Sequence, residues 1–179
     1  REPAGRAVTF NNMACYYRRQ GKLHAALQYL QKALKIEGRL ASKQVENPAD
    51  TYLNACAVLS QLGRHQSALE HAQQALVLLI EELSNVISSS QRADSSNDDS
   101  IFDETSSNPP PKADRIAVLA IAYHNVGVEQ EFLKKHSQSL QSYRKGVQVA
   151  ERYLGPDHAI TTTLRNSCVA ARRTILAHD

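Results

Sequence analysis

The sequence predicts an all-α solenoid in which helical hairpins stack side by side. Three observations lead to this fold class. One phrase of the sequence recurs at an offset of 42 residues, glycine–basic pairs interrupt the apolar periodicity at matching places, and Ala, Leu, Gln and Ser are abundant while Trp is absent. Ala, Leu and Gln lose little conformational freedom in a helix. One hairpin cannot bury its own apolar face, so stacked neighbours must complete the core.

The first hairpin is predicted at about residues 7–40. Apolar residues recur at helical spacing as far as Tyr17, and a second apolar stripe begins at Leu23. Between them stands Gly21, which accepts the left-handed conformation that ends many helices. Small residues such as Ala14 let the two helices approach closely. This segment therefore reads as helix, turn and helix.

The same unit is predicted twice more, followed by one closing helix. The later hairpins lie at about 49–87 and 114–153, and the closing helix at about 159–177. In the third unit Lys134 stands where the others have the turn glycine, and Gly146 stands where they have alanine. One residue of the first phrase recurs at the same place in every unit: Asn12, Asn54, Asn125 and Asn166.

Residues 88–112 interrupt the repeat and are predicted to be a flexible acidic loop. They hold eight Ser, the run Pro109–Pro111 and five acidic residues against two basic ones. Such a composition buries too little surface to offset its ordering entropy. Proline disfavours helix, so the next helix is expected to begin with Asp114 as its cap.

The insert also contains candidate regulatory features. Three serines have an acidic residue three positions later and are candidate phosphorylation sites: Ser95, Ser96 and Ser100. The apolar pair Ile101–Phe102 lies among carboxylates, as in many short ligands of helical grooves. This segment could dock on the basic face of the array, or it could be a tolerated surface insertion.

The motif from Tyr17 to Leu34, Tyr-x-x-Gln-Gly-Lys-Leu-x-x-Ala-Leu-x-Tyr-Leu-x-Lys-Ala-Leu, resembles a tetratricopeptide repeat (TPR). The long period and the phrase Leu154-Gly155-Pro156-Asp157-His158 resemble the kinesin-light-chain-like subclass. The resemblance implies a single array over residues 1–179 that coils into a right-handed superhelix. It also implies that the first helix of each hairpin lines a concave groove.

By that resemblance, the residues expected to face a peptide in the groove are Asn11, Asn12, Arg18, Arg19, Asn54, Ala57, Gln61, His124, Asn125, Val128, Arg165, Asn166, Arg172 and Arg173. An Asn amide both donates and accepts, so the four recurring Asn could hold an extended backbone, or they could bond a neighbouring helix. The arginines at both ends could hold carboxylates or lie in solvent.

The predicted function is a non-enzymatic protein-interaction adaptor or scaffold that binds an extended acidic or aromatic-acidic peptide. The sequence has no glycine-rich phosphate loop, nucleophile turn or metal-ligand spacing, so no catalytic residue, metal or cofactor is expected. No apolar run approaches the roughly 20 residues that span a bilayer. The three cysteines are too few and too widely spaced for a disulfide framework.

Two alternatives stay open. The ends of the solenoid could meet a second copy of the chain or further repeats, which would make it a structural oligomerisation module. An RNA-binding helical repeat has only the arginine clusters in its favour, and nucleic acid is an improbable partner. The resemblance implies a cytoplasmic protein, with cytoskeletal, motor or ciliary partners as the associated possibilities.

Overall fold

The computed structural model describes residues 2–40, 47–93 and 111–178. Seven helices and no strands lie in these ranges. They are α1 (Pro3–Arg19), α2 (Leu23–Glu37), α3 (Pro48–Gln61), α4 (His65–Ala93), α5 (Pro111–Phe132), α6 (His136–Tyr153) and α7 (Ala159–His178). The predicted all-α solenoid of three hairpins and a closing helix is confirmed.

Short turns join α1 to α2, α3 to α4, and α5 to α6, and each turn holds one residue in the left-handed conformation. Gly21 has a φ of 73°, Gly63 a φ of 72° and Lys134 a φ of 61°. Lysine adopts this conformation at a steric cost that glycine does not have. The third unit thus keeps the backbone of the repeat turn without its usual residue.

The core is made of three apolar clusters that follow one another along the stack. Ala14, Leu30 and Leu59 belong to the first cluster, Leu79 to the second and Tyr143 to the third. Each cluster draws on more than two helices, and Val126 of α5 packs into the first one. The hairpins therefore depend on their neighbours for burial, as expected for a solenoid.

The third unit achieves its close packing with two glycines, Gly127 where the first two units have Ala14 and Cys56, and Gly146 where they have alanine. A Cβ atom built on Gly127 would lie 2.5 Å from a carbon of the Tyr143 ring. A Cβ on Gly146 would lie 2.8 Å from a methyl carbon of Leu164. The buried Tyr143 ring and the closing helix occupy the space that alanine would need.

An arginine joins the three helices at the junction of the second and third hairpins. Arg115 of α5 donates to both carboxylate oxygens of Glu82 on α4, at 2.8 and 2.9 Å, and to Asp50 on α3 at 3.1 Å. Its side chain is 17% exposed. This bidentate pair fixes the start of α5 against the preceding hairpin.

The boundaries of the predicted insert 88–112 differ from the observed helices. Helix α4 continues past Ser88 to Ala93, because lengthening an existing helix costs little even with serine. Helix α5 begins at Pro111 and not at Asp114, because proline is tolerated in the first turn, where its missing N–H has no partner to lose. Residues 94–110 lie outside the described ranges, with the candidate phosphorylation sites Ser95, Ser96 and Ser100 and the pair Ile101–Phe102. Those remain predictions.

Candidate peptide-binding groove

The first helices of the hairpins form one continuous face. Within the described residues, α1 contacts α3, α3 contacts α5, and α5 contacts α7, whereas α2, α4 and α6 have no comparable contacts with one another. Helices on the inner side of a curved stack lie closer together than those on the outer side. We call the face formed by α1, α3, α5 and α7 the inner face, and every predicted groove residue lies on one of these helices.

The recurring asparagines occupy equivalent positions on the four inner-face helices, and we call these four residues the amide row. Asn12 and Asn166 are exposed, and Asn54 and Asn125 are half-buried. Asn54 Nδ2 donates a hydrogen bond to Asn11 Oδ1 at 2.9 Å, so this pair joins α3 to α1. The bond leaves Asn54 its carbonyl oxygen and one N–H, so bonding to the neighbouring helix and contact with a ligand are compatible there.

The terminal inner helices are both basic. Helices α1 and α7 each contain three arginines and no carboxylate. Arg19, Arg172 and Arg173 are exposed, Arg18 is half-buried, and none forms an ion pair with another described residue. The two ends of the inner face therefore carry unneutralised positive charge.

The guanidinium of Arg165 is already bonded to other residues of the chain. It forms an ion pair with Glu151 of α6 at 2.6 Å and donates to the carbonyl oxygen of Pro156 at 3.1 Å. These contacts tie α7 to the end of α6 and to the linker between them. The guanidinium, predicted to face a peptide, would have to exchange these partners to bind one.

The centre of the inner face is apolar along the next row of equivalent positions. This row consists of Cys15, Ala57 and Val128, all half-buried, and Val169, which is 51% exposed. Gln61 lies exposed at the end of α3. An extended chain lying across the face would meet amides, then aliphatic side chains, with arginines at either end.

His124 is a half-buried part of the inner face. Its Nε2 atom lies 3.1 Å from Ser167 Oγ on α7, and its ring is 5.5 Å from the Tyr143 ring. Burial lowers the pKa of the imidazole below its ordinary value, against the opposing effect of Glu131. The neutral imidazole is favoured, so His124 adds no positive charge to the groove near pH 7.

The sequence reasoning missed one buried polar cluster beside the groove. Glu129 Oε2 accepts a hydrogen bond from His65 Nδ1 at 2.7 Å, and the carboxylate side chain is only 3% exposed. The His65 ring stacks on Phe132 at 4.0 Å, while Phe132 remains 57% exposed. The sequence contained one indication of this cluster, because the acidic Glu129 occupies the repeat position at which the first two units have Tyr16 and Val58.

The linker Leu154–His158 has a clear structural role. Gly155 has a φ of 93°, which glycine adopts readily, and its carbonyl oxygen accepts a hydrogen bond from Thr161 Oγ1 at 2.8 Å. His158 Nδ1 accepts a hydrogen bond from the backbone N–H of Ile160 at 3.2 Å. The phrase ends α6 and caps the first turn of α7.

The described residues contain no group of three or more His, Cys, Asp or Glu placed to hold a metal ion. None of the helices in the described ranges is both long and apolar enough to cross a membrane.

Comparisons with known proteins agree with this architecture. Residues 5–81 match the sequence model of the tetratricopeptide repeat family. No curated protein sequence matches the chain. Among solved structures, the first TPR of Spaghetti (RPAP3) bound to the HSP90 peptide SRMEEVD aligns with a TM-score of 0.61 at 12% identity, covering 97% of this chain and 95% of that one.

Two further structures show the same fold. The Arabidopsis OM64 TPR domain aligns with a TM-score of 0.60 at 12% identity, covering 97% of this chain and 99% of that domain. The apo form of RapI aligns with a TM-score of 0.70 at 14% identity, covering 99% of this chain and 52% of that protein. Residues 5–81 are therefore similar in sequence to the tetratricopeptide repeat family, and the described helices share the solenoid fold of these TPR structures.

Proposed function

We propose that this chain is a non-enzymatic adaptor domain that binds an extended acidic peptide of a partner protein on its inner face. The observation that carries the proposal is the positive charge at the two ends of the amide row, where Arg18 and Arg19 on α1 and Arg172 and Arg173 on α7 form no ion pair with another described residue. Arginine holds carboxylates through charge-assisted bidentate hydrogen bonds. Main-chain contacts from the amide row would add affinity without demanding a particular sequence.

The comparison with Spaghetti supports the class of ligand. That fold holds the peptide SRMEEVD, in which three residues carry side-chain carboxylates. Transferred to this chain, the likeness supports an acidic peptide, with an aromatic-acidic peptide as the second form of the proposal. Affinities of such contacts are modest, with a Kd on the order of micromolar, or about −8 kcal/mol.

The experiment is a selection of peptides from a random 12-residue display library against the chain, followed by binding measurements by fluorescence anisotropy. The groove variant carries Asn12→Ala, Asn125→Ala and Asn166→Ala, and the matched control carries Gln74→Ala and Gln148→Ala on the outer helices. We expect acidic peptides that bind the control normally and the groove variant at least about 10-fold more weakly, as for the loss of two neutral hydrogen bonds.

Binding that is equal in both variants would contradict the inner face as the site. Thermal unfolding of each variant checks that the fold is intact. Single-stranded RNA, measured by filter binding at moderate salt, tests the nucleic-acid alternative, and tight binding of RNA alone would replace the peptide proposal.

A structural role at the ends of the solenoid is the second candidate, and exposed apolar side chains favour it. On α1, Val8 is 51% and Tyr16 is 58% exposed, and on α7, Leu176 is 67% exposed. Such residues on terminal helices could meet a second copy of the chain or further repeats. Light scattering over a range of concentrations distinguishes this role, because end-to-end stacking gives a mass that rises with concentration.

Membership of the kinesin-light-chain-like subclass is a finer part of the proposal, and so are cytoplasmic, cytoskeletal, motor or ciliary partners. The linker Leu154–His158 supports the subclass, since its Gly and His have defined structural roles here. A cytoskeletal or motor partner would be tested by asking whether its acidic segment competes with a selected peptide for the inner face.

A further inference from the structure

Helices α5 and α7 leave a small open cavity between them on the inner face. Its volume is about 160 Å³, and it is lined by Ile121, His124, Ala159, Ile160, Thr163 and Leu164. Hydrocarbon groups dominate the lining. The only ionisable side chain in it is His124, which burial favours in the neutral form. A cavity of roughly 150 Å³ with apolar walls accommodates a benzene-sized group.

The strip of surface between α5 and α7, which we call the seam, changes from apolar to basic along its length. It begins at this cavity, passes Asn125 and Asn166, continues to Val128 and Val169, and ends at exposed Arg172 and Arg173. On the facing helix α5, Glu131 occupies the position equivalent to Arg172. It accepts a hydrogen bond from Tyr143 Oη at 2.8 Å, so it points to the third core cluster. Neither Arg172 nor Arg173 forms an ion pair with another described residue, so both guanidinium groups remain available to a ligand.

The geometry points to a defined ligand for this seam: we propose that it binds an extended peptide with one apolar anchor residue in the cavity and an acidic residue on Arg172 and Arg173. The proposal rests on the proposed function, and it narrows the binding site to the part of the inner face between α5 and α7. The ligand in this proposal is a peptide of a partner protein and not a second copy of the chain. The reason is that Arg172 and Arg173, at the basic end of the seam, would bind the carboxylates of an acidic peptide. The amides between the two ends suit a main chain that both donates and accepts.

The spacing follows from helix geometry. From Ile160 to Arg173 along α7, a rise of 1.5 Å per residue gives about 20 Å. An extended peptide covers about 3.3 Å per residue, so the acidic residue lies about five or six residues from the anchor. The cavity is large enough for the side chain of Leu, Ile or Val, or for a single ring such as that of Phe.

The same 12-residue library tests the spacing. We expect selected peptides to share a Leu, Ile, Val or Phe and, about five or six positions away, an Asp or Glu. A synthetic peptide from the selection is then measured against Ala159→Phe, which fills the cavity mouth from an exposed position, and against Gln148→Phe, which places the same side chain at an exposed position of the outer helix α6.

Filling the cavity should weaken binding about 10- to 100-fold, as expected for exclusion of one buried aliphatic side chain, and Gln148→Phe should leave binding unchanged. Replacing the peptide's anchor by Ala should give a similar loss, with no further loss when it is combined with Ala159→Phe. Equal binding to both protein variants, or selected peptides without the spaced apolar residue, would overturn the proposal.

The outcomes separate this inference from the proposed function. Peptides that are sensitive to the triple Asn variant but indifferent to Ala159→Phe would overturn only the cavity. Peptides indifferent to both variants, or a library that yields no binder, would contradict the groove and the cavity together.

Discussion

Replacing Gly127 by Ala should destabilise the protein, although alanine is the better helix former. Gly127 lies within α5, and a Cβ built there would be 2.5, 2.7 and 2.9 Å from three ring carbons of Tyr143. Ordinary carbon–carbon contacts are about 3.5–4.0 Å, so the ring or the helix must move by about 1 Å. The ring has little room to move, because Tyr143 is 1% exposed and its hydroxyl is bonded to Glu131.

Two opposing effects set the magnitude. Alanine in place of glycine inside a helix gains about 1 kcal/mol. Overpacking a filled core costs typically about 1–3 kcal/mol, and the three close contacts place this site at the upper end. The net loss is about 1–2 kcal/mol, which corresponds to a fall in Tm of about 2–8 °C for a chain of this length.

Gly5→Ala is the matched control, measured by thermal and urea unfolding beside Gly127→Ala. Gly5 lies in α1, and a Cβ there would have nothing within 4 Å. The same change should therefore raise stability, by about 0.5–1 kcal/mol. If both variants are more stable than the parent chain, the account of Gly127 as the space for the Tyr143 ring is wrong.

Three other predictions concern stability and reactivity. Lys134→Gly should stabilise the fold by about 0.5–1 kcal/mol, because it removes left-handed strain at φ 61°; an unchanged urea midpoint would count against that strain. Arg115→Met should destabilise it by about 1–2 kcal/mol by leaving two partly exposed carboxylates unpaired, and the loss should shrink in about 1 M salt. Burial, together with Glu129, raises the pKa of Cys56 to about 12. A raised pKa keeps the thiol neutral, so at pH 8 only about one part in 10⁴ is thiolate, and Cys56 should react with a disulfide reagent only on unfolding, after Cys15. Modification of Cys56 at the rate of Cys15 in the folded protein would contradict this.

The repeat made the fold predictable, because the positions of its small and apolar residues set both the helices and the way they stack. It even located the turn at Lys134, where the local residue disfavours the observed conformation. The ends of the insert were less predictable. Whether a helix continues past Ser88 or begins at Pro111 depends on small free-energy differences in helix propagation and in the first helical turn. The amino-acid composition of the segment does not reveal such differences at single residues.

The site was predictable in its location but not in its internal bonds. The repeat register placed Asn54 and Arg165 on the first helices of their units. It could not show that Asn54 donates to Asn11, or that Arg165 is paired with Glu151, since these contacts depend on how neighbouring hairpins and the linker are oriented. The buried pair of His65 and Glu129 escaped notice because its members are far apart in sequence.

The central claim, that the inner face binds an extended acidic peptide, is tested most directly by mapping where a selected peptide binds. Backbone amide chemical shifts of the labelled chain would be followed by NMR as the peptide is added. The account predicts that the largest changes fall on the inner-face helices, above all on α5 and α7, with α2, α4 and α6 little affected. Changes concentrated on the outer helices would contradict it.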